Sequence, residues 1–316
     1  MTSLFARALL DHETIEAFLV RCLGITHELL LDNGSRVPLH ELCKRIRDAE
    51  SAVGAAHASS TLSSGRNRVP EYRSDAARAI VRDRIIGELI VNDRLDFDEH
   101  IRLGHGGAKP QGKQAQTGSA AYLVTGLPAS GKSALVSMLS DRLGAMVLDS
   151  DFAKRKLPEL DHALAGASMV HDEPNMLVFG DGSGTPSLFE YCTSKKLNVV
   201  VSVVGSKESG LKTLRQSFIK AGYRVHLTVM LLDRVEAARR ALRRFIQTGR
   251  YVPINLIFDG HANEPVLNYY KAWTDTVAGR DLQWASLGAL STGSLPAKVD
   301  GYSSDANPAA LWERLS

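Results

Sequence analysis

One short pattern, GLPASGKS at residues 126–133, constrains the fold of this 316-residue chain more than any other feature. The apolar run AYLVT precedes it at 121–125, and a helical pattern follows from Lys132 to about Leu143. Glycines let backbone N–H groups turn inward around an anion, and the following helix presents its positive N-terminal end to it. A strand, this loop and a helix in that order predict a phosphate-binding loop.

The composition of the loop indicates which phosphate compound it binds. Lysine at the end of such a loop reaches the outer phosphates of a nucleoside triphosphate, and the next hydroxyl ligates Mg²⁺. We therefore expect ATP and Mg²⁺ as cofactors, with Ser133 as a metal ligand. The expected nucleotide contacts are Gly126, Leu127, Pro128, Ala129, Ser130, Gly131, Lys132 and Ser133.

After the loop, short apolar runs alternate with amphipathic helices. We predict strands at 121–125, 145–149, 198–204 and 224–233, and a last strand near 297–302. Continuous Val- and Leu-rich runs separated by helices are typical of a parallel sheet covered on both faces. The expected fold class is α/β, a P-loop NTPase-type parallel sheet flanked by helices, with an N-terminal helical extension.

The chain before the loop has helical periodicity. Apolar residues at helical spacing from Ile15 to Leu30 predict a first helix that stops at Asn33 and Gly34; a second starts near Pro38, and a third is capped by Ser74 or Asp75. Residues 104–118 contain five glycines and no apolar periodicity, which indicates a flexible connection or exposed loop. We expect a helical region at 1–103, a Gly-rich linker at 104–118 and the P-loop domain at 119–316.

Composition argues against several classes of protein. No apolar run reaches the roughly 18 residues of a membrane span, and acidic residues come too early for a secretory signal. Three distant cysteines indicate neither a disulfide framework nor a zinc site. A net charge of +3 is too small to indicate nucleic acid. We expect a cytoplasmic protein with no membrane or nucleic-acid partner.

Two carboxylates follow the second predicted strand, in the segment LDSDFAKRKLP. Asp149 and Asp151 lie where parallel strands end, on the ligand side of such a sheet. One of them could accept a proton from an acceptor hydroxyl while the other, which we take to be Asp149, organises Mg²⁺. The alternative is structural, because an aspartate before FAKRKL also suits a helix N-cap.

A helix rich in arginine follows the fourth predicted strand. Its four arginines crowd one side, at 239, 240, 243 and 244, and Arg250 follows the helix stop at Gly249. Like charges four residues apart destabilise a helix, whereas a polyphosphate would bind them through bidentate contacts. We predict a basic lid over the phosphates that includes Arg240 as a nucleotide contact; the alternative is a solvated basic face.

Two further polar positions are open to more than one interpretation. Asp233 ends the apolar run VMLLD and fits the weak pattern of a Walker B carboxylate, which would suit an ATPase. The segment VHDEPN contains Glu173 beside His171 and Asp172, and we expect either a substrate contact or an ordinary loop or helix cap there.

These motifs together resemble the zeta-toxin family of P-loop kinases. The resemblance covers roughly residues 84–280 and rests on the order of GLPASGKS, LDSDFAKRKLP, VHDEPNM, NVVVSVVG, GYRVHLTVMLLD and a lid that ends in GRYVP. It implies transfer of the γ-phosphate of ATP to the 3′-hydroxyl of the sugar in UDP-N-acetylglucosamine, and control by a small helical antitoxin. It also implies that Lys132 and Asp151 are catalytic, with Arg244 and Arg250 as lid arginines, although Arg240 or Arg243 could replace Arg244.

The chain departs from that family at two places. The family carries a glutamate at the end of the third strand, whereas this chain has Ser202 there. With Glu173 and Ser202 as candidate acceptor contacts, the acceptor stays open between a nucleotide-sugar and NAD, whose adenosine ribose is phosphorylated by related effector kinases that are secreted into host cells. The N-terminal helices could inhibit in cis, dock a partner or extend the fold. A regulatory ATP-binding module with little turnover is the third alternative.

Overall fold

The computed structural model describes residues 6–57, 60–161, 166–182, 185–294 and 296–315. The N-terminal elements are α1 (His12–Arg21), β1 (Glu28–Leu30), β2 (Arg36–Pro38), α2 (Leu39–His57) and α3 (Asp75–Val91). There follow β3 (Ala120–Thr125), α4 (Lys132–Leu143), β4 (Met146–Leu148), α5 (Ser150–Lys154), α6 (Gly166–Met169), α7 (Asp172–Phe179) and α8 (Leu188–Ser194). The last elements are β5 (Val199–Val203), α9 (Glu208–Lys220), β6 (Arg224–Leu231), α10 (Arg234–Thr248), a π-helix (Leu256–His261), α11 (Glu264–Val277), β7 (Ser286–Ser291), β8 (Lys298–Tyr302) and α12 (Pro308–Leu315).

A six-stranded sheet forms the centre of the molecule, in the order β4-β5-β3-β6-β7-β8. Strand β3 is central and pairs in parallel with β5 and β6, so that Leu123 lies between Val201 and Leu227. The predicted parallel α/β sheet with flanking helices is therefore confirmed. Two features differ from the prediction: β7 was not expected, and β8 pairs with it in the antiparallel direction.

The first predicted helix is shorter in the structure. It ends at Arg21, and Gly24 adopts a left-handed conformation (φ 65°) that ends the helical path. Residues 28–30 instead form an antiparallel hairpin with 36–38, in which Leu29 lies opposite Val37. The other two N-terminal helices are present, and the Ser74 hydroxyl caps α3 by accepting from the Ala77 N–H.

The apolar side chains of the described residues form two cores. The first covers the sheet and includes α3, through Val81, Ile85 and Leu89. The second joins α1, the hairpin and α2 to α10 and the π-helix, and it also contains Leu127 of the phosphate-binding loop. The N-terminal helices are thus divided, since α3 packs with the sheet while α1 and α2 pack with the arginine-rich helix.

The glycine-rich segment 104–118 lies along the sheet instead of standing free. The Val147 N–H donates to the Ala108 carbonyl (2.8 Å), and the Asn198 N–H donates to the Gln116 carbonyl (2.7 Å). The buried Lys156 ammonium also donates to the Gly106 carbonyl at 2.6 Å. Our expectation of a flexible connection does not describe this packing, although the division of the chain into units stays a prediction.

Candidate active site

The loop between β3 and α4 has a backbone that a phosphate cradle requires. A side chain at Gly126 (φ 147°) would place its Cβ 2.7 Å from the Ser130 hydroxyl and 2.8 Å from the Met230 carbonyl, so only glycine fits. Ala129 (φ 63°) and Gly131 (φ 84°) adopt left-handed conformations. A left-handed conformation in a non-glycine residue is strained, and such residues cluster at ligand-binding sites. Right-handed and left-handed residues in alternation turn their N–H groups to one side as an anion nest.

The polar side chains of the loop fit a phosphate group. The Lys132 ammonium folds back onto the loop and donates to the carbonyls of Gly126 and Leu127, both at 2.8 Å. Burial lowers the pKa of Lys132 to about 8, although Asp149 and Asp151 act in the opposite direction. The Ser130 hydroxyl is buried and has no hydrogen-bond partner among the described residues. These groups therefore match the oxygens of a polyphosphate.

The two carboxylates after β4 have separate roles. Asp149 caps α5, because its Oδ1 accepts from the Asp151 N–H at 2.9 Å. The capping role that we considered for Asp151 therefore belongs to Asp149. The Asp151 carboxylate faces cations instead: its Oδ2 lies 2.5 Å from Arg250 Nη2 and its Oδ1 lies 3.2 Å from Lys154 Nζ.

Electrostatics separate the two carboxylates further. Burial, and then the neighbouring charge of Asp151, raise the pKa of Asp149 to about 6. Burial also acts to raise the pKa of Asp151, but Arg250 and Lys154 outweigh it and lower that pKa below its ordinary value. Of the two, Asp151 is the carboxylate that stays ionised across the physiological pH range.

A narrow cleft opens beside Asp149. The Ser133 hydroxyl and Ser202 line it together with Asp149, so two expected metal ligands and one expected acceptor contact share the same space. Among the described residues no group of three or more His, Cys, Asp and Glu side chains could hold a metal by itself. A hard cation that takes its other ligands from phosphate oxygens and water, as Mg²⁺ does, suits the ligands Ser133 and Asp149.

Three half-buried arginines, Arg155, Arg244 and Arg250, converge on this site. Arg250 pairs with Asp151, and burial together with the charge of Arg250 lowers the pKa of both Arg244 and Arg155. The Nε atoms of Arg244 and Arg155 have no hydrogen-bond partner within the described part of the chain. Half-buried cations that repel one another and keep unused donors are suited to an anion with several oxygens.

Arg155 was not among the residues predicted from the sequence. It lies four residues after Asp151 in the same short helical turn, and its N–H donates to the Asp151 carbonyl at 3.1 Å. Its Nη2 lies 3.6 Å from a Glu99 carboxylate oxygen. Helical spacing from Asp151 is the signal that could have identified it.

The arginines of α10 divide between two surfaces. The Arg240 Nη2 donates to the Thr292 carbonyl at 2.8 Å, and Thr292 is also the nearest side chain to Gly131 of the loop. This places Arg240 near the phosphate-binding loop, while its contact with a nucleotide stays a prediction. Arg239 and Arg243 donate instead to backbone carbonyls of the N-terminal region, those of Leu23 (2.7 Å) and Leu30 (3.3 Å). Arg244 is therefore the helix arginine that we assign beside Arg250.

The structure does not place Glu173 at this site. Its side chain is fully buried, and its oxygens accept from Arg78 and Arg82 at 2.7 Å and from the Thr61 hydroxyl at 2.8 Å. Our expectation of an acceptor contact is therefore corrected: Glu173 neutralises Arg78, which is also fully buried. The preceding His171 is exposed and pairs with its neighbour Asp172.

Asp233 has a structural role that accounts for its position. Its carboxylate caps α10 by accepting from the N–H groups of Val235 (2.8 Å) and Glu236 (3.4 Å). Asp233 also does not line the cleft that contains Asp149 and Ser133, so the helix cap is the role that the structure shows for it.

Half of the chain matches a known protein family, and several solved structures are similar to it. Residues 108–264 match the family model described as zeta toxin, whereas no curated protein matches the sequence. One similar solved structure, from the PezAT chromosomal toxin–antitoxin system of Streptococcus pneumoniae, is 16% identical over 65% of this chain and 80% of that chain, with a TM-score of 0.42. A second, the AvrRxo1-ORF1:-ORF2 complex, is 15% identical over 80% and 75%, with a TM-score of 0.41.

A third similar structure is a gluconokinase from Sinorhizobium meliloti, 17% identical over 57% of this chain and 86% of that chain, with a TM-score of 0.32. Among the described residues no helix has the length and apolar character needed to cross a membrane. Because the family model spans the phosphate-binding loop, the Asp151 segment and the lid arginines, the chain belongs, through residues 108–264, to the zeta toxin family of P-loop kinases.

Proposed function

We propose that this chain is an ATP- and Mg²⁺-dependent kinase that phosphorylates a hydroxyl of a nucleotide-sugar such as UDP-N-acetylglucosamine. The observation that carries the proposal is the ion pair between Asp151 and Arg250, in which Oδ2 and Nη2 lie 2.5 Å apart. The pair is close enough to Lys132 for the charge of Asp151 to act on the pKa of Lys132. A carboxylate beside a phosphate-binding lysine and half-buried arginines is an arrangement for deprotonating a hydroxyl where phosphoryl charge develops.

The site residues have different roles in phosphoryl transfer in this scheme. The loop N–H groups and Lys132 bind the outer phosphates, and Arg244 and Arg250 neutralise the charge on the transferring group. Ser133 and Asp149 would hold Mg²⁺, which supplies charge neutralisation between the phosphates. Asp151 accepts the proton of the acceptor hydroxyl.

The ion pair also regulates the basicity of Asp151. While Arg250 holds the carboxylate, the pKa of Asp151 is lowered and the group is a weak base. The same guanidinium cannot give its full charge to a phosphate and to Asp151 at once, so phosphate contact by Arg250 raises the pKa of Asp151 again. In this scheme Asp151 becomes a better base when the phosphate is in place.

A second candidate acceptor, the ribose hydroxyl of NAD, is favoured by one observation. Ser202, not a glutamate, stands beside Asp149 in the cleft. A short neutral side chain leaves more room and less negative charge than the family's usual residue at this point. Serine in place of glutamate changes the expected acceptor pocket and does not change the phosphate-binding loop.

The test is phosphoryl transfer from γ-labelled ATP with Mg²⁺, with UDP-N-acetylglucosamine, NAD and water offered separately. Asp151→Asn is the inactive variant, and Asp172→Asn, a similar change at an exposed carboxylate, is its control. We expect Asp151→Asn to lower transfer about 100- to 10,000-fold, the usual contribution of a general base, with ATP affinity unchanged. Label on the sugar supports the main proposal, and label on NAD supports the second candidate.

The remaining outcomes have equally definite meanings. Label in free phosphate alone, or in no product, would indicate the third alternative, a regulatory ATP-binding module. Transfer that survives Asp151→Asn would contradict the assignment of the base.

Partners remain a proposal. The PezAT and AvrRxo1 structures are described as a toxin–antitoxin system and as a two-protein complex, and a small helical antitoxin or cis-inhibition by the N-terminal helices is our corresponding expectation for this chain. Deletion of residues 1–80 would not test it, because the cut falls inside α3, which belongs to the sheet core. Point substitutions between the N-terminal helices and the lid are the better test.

A further inference from the structure

The lid, residues 234–261, is attached to the N-terminal helices by a buried hydrogen bond next to the site. The Tyr251 hydroxyl donates to a carboxylate oxygen of Glu50 on α2, and the two residues are 201 positions apart in the chain. Tyr251 and Glu50 are only 4% and 9% exposed. We propose that Glu50, acting through Tyr251, is a positioning residue that fixes the backbone of Arg250 beside Asp151, so that the guanidinium can reach the transferring phosphate; the proposal rests on the kinase function proposed above.

The position of Tyr251 in the chain explains how this hydrogen bond can act on Arg250. Tyr251 directly follows Arg250, the residue that contacts the proposed base. Helix α10 ends at Gly249 in a left-handed conformation (φ 74°), and the next residues have no regular secondary structure. Without helical hydrogen bonds, the orientation of Arg250 depends on side-chain anchors close to it.

Tyr251 supplies two such anchors. Its ring packs edge-on against Phe245 of α10, with centroids 4.8 Å apart, and its hydroxyl reaches Glu50. The ring contact fixes Tyr251 relative to its own helix, whereas the hydroxyl fixes it relative to α2. Removal of the hydroxyl alone therefore separates positioning by the N-terminal helices from packing within the lid.

The N-terminal region contacts the lid on both sides of Arg250, so α2 is a fixed reference. Before Arg250, the side chains of Arg239 and Arg243 donate to N-terminal carbonyls. After Arg250, Arg7 Nε lies 2.6 Å from Asp259, and the Asn255 amide donates to the Arg7 carbonyl at 2.9 Å. Glu50 is the contact of this set that lies next in sequence to the site arginine.

The chemistry of the pair also favours a specific role. Glu50 is buried and makes no ion pair within the described residues, and burial raises its pKa. A buried carboxyl group with one neutral partner stabilises a fold less than an apolar pair of the same size would. Its directional bond fixes the position of Tyr251 in a way that apolar packing does not.

The experiment compares Glu50→Leu, which removes the acceptor oxygen at similar size, and Tyr251→Phe with Glu41→Leu, the same change at a residue of α2 whose carboxylate pairs with Arg45 at 2.8 Å. We expect each of the first two variants to lower kcat about 10- to 100-fold, because an ångström of misplacement at a reacting centre has that effect. The KM for ATP should stay within about threefold, because the phosphate-binding loop is unchanged. The double variant should be no slower than either single variant, because the two residues act as one unit.

Three results would overturn the proposal: unchanged kcat, a rise in KM for ATP without a fall in kcat, or additive losses in the double variant. Hydrogen exchange of residues 249–255 gives a readout that needs no activity. We expect faster exchange there in Glu50→Leu and Tyr251→Phe, and wild-type exchange in Glu41→Leu. If the wild type transfers no phosphate, the kinase proposal fails; faster exchange then still supports the anchor, whereas unchanged exchange refutes it.

Discussion

Replacement of Glu173 by glutamine tests whether the structure has placed this residue correctly. Glu173 is fully buried, and each of its two oxygens lies 2.7 Å from a nitrogen of Arg78. The substitution removes the charge that neutralises a buried guanidinium, although Glu159 still contacts Arg78 at 3.0 Å. Breaking a buried ion pair costs about 3–5 kcal/mol, which corresponds to a fall in Tm of roughly 6–20 °C for a chain of this order of size.

The assay is thermal and urea unfolding at pH 7, followed by tryptophan fluorescence, with Glu41→Gln as control. The control pair is exposed, so its loss should cost less than about 1 kcal/mol. A Glu173→Gln protein with wild-type stability but greatly reduced phosphoryl transfer would refute the structural assignment and restore Glu173 as a substrate contact.

The same variant has a pH signature. Burial alone would raise the pKa of Glu173, but Arg78 and Arg82 outweigh it and lower the pKa to about 2, below the ordinary value of 4.5. A carboxylate with a lowered pKa stabilises the fold above its unfolded-state pKa and loses that contribution as the pH falls towards its folded-state pKa. The wild type should therefore lose stability between about pH 4.5 and pH 2, and Glu173→Gln should lose less over that interval.

Three other substitutions test the phosphate site. Burial lowers the pKa of Lys132 to about 8, so ATP affinity measured by calorimetry should weaken as the pH rises through 8, and Lys132→Met should weaken binding and abolish this pH dependence. Arg155→Ala should lower kcat about 100-fold, as loss of one preorganised donor does, with little change in Tm; wild-type kinetics would remove Arg155 from the site. Arg240→Ala should raise the KM for ATP about 3- to 10-fold with kcat unchanged, and an equal fall in kcat would place Arg240 at the transferring phosphate instead.

Local patterns predicted most of the sheet and the phosphate-binding loop. Strand β3, the loop and helix α4 follow one another within residues 120–143, so periodicity and glycine spacing were sufficient. Strand β7 was missed because SLGALS is short and contains glycine and two serines. The hairpin at residues 28–38 was missed because its apolar residues also match helical spacing, and Gly24 gives the only local break.

Roles that depend on distant partners could not be predicted in this way. Glu173 has metal-capable neighbours in the sequence, but its actual partner Arg78 lies 95 residues away and leaves no local signal. The sequence of α10 does not distinguish its arginines from one another. Only the fold shows that Arg239 and Arg243 donate to N-terminal carbonyls, whereas the Arg244 Nε has no partner among the described residues. The resemblance to a family named Asp151 and Arg250 as two separate site residues, and the structure brings their side chains together.

The second hydrophobic core has a consequence for the speed of the catalytic cycle. A lid made of one helix opens and closes as a loop does, but here α10 shares its apolar face with α1, the hairpin and α2. Any opening of the proposed lid must therefore carry these N-terminal elements with it or expose the apolar residues that they cover. Motions of whole domains take microseconds to milliseconds, longer than the motion of exposed loops, and opening of such bodies commonly limits turnover. Viscosity of the solvent should then slow product release in this chain more than it slows the chemical step.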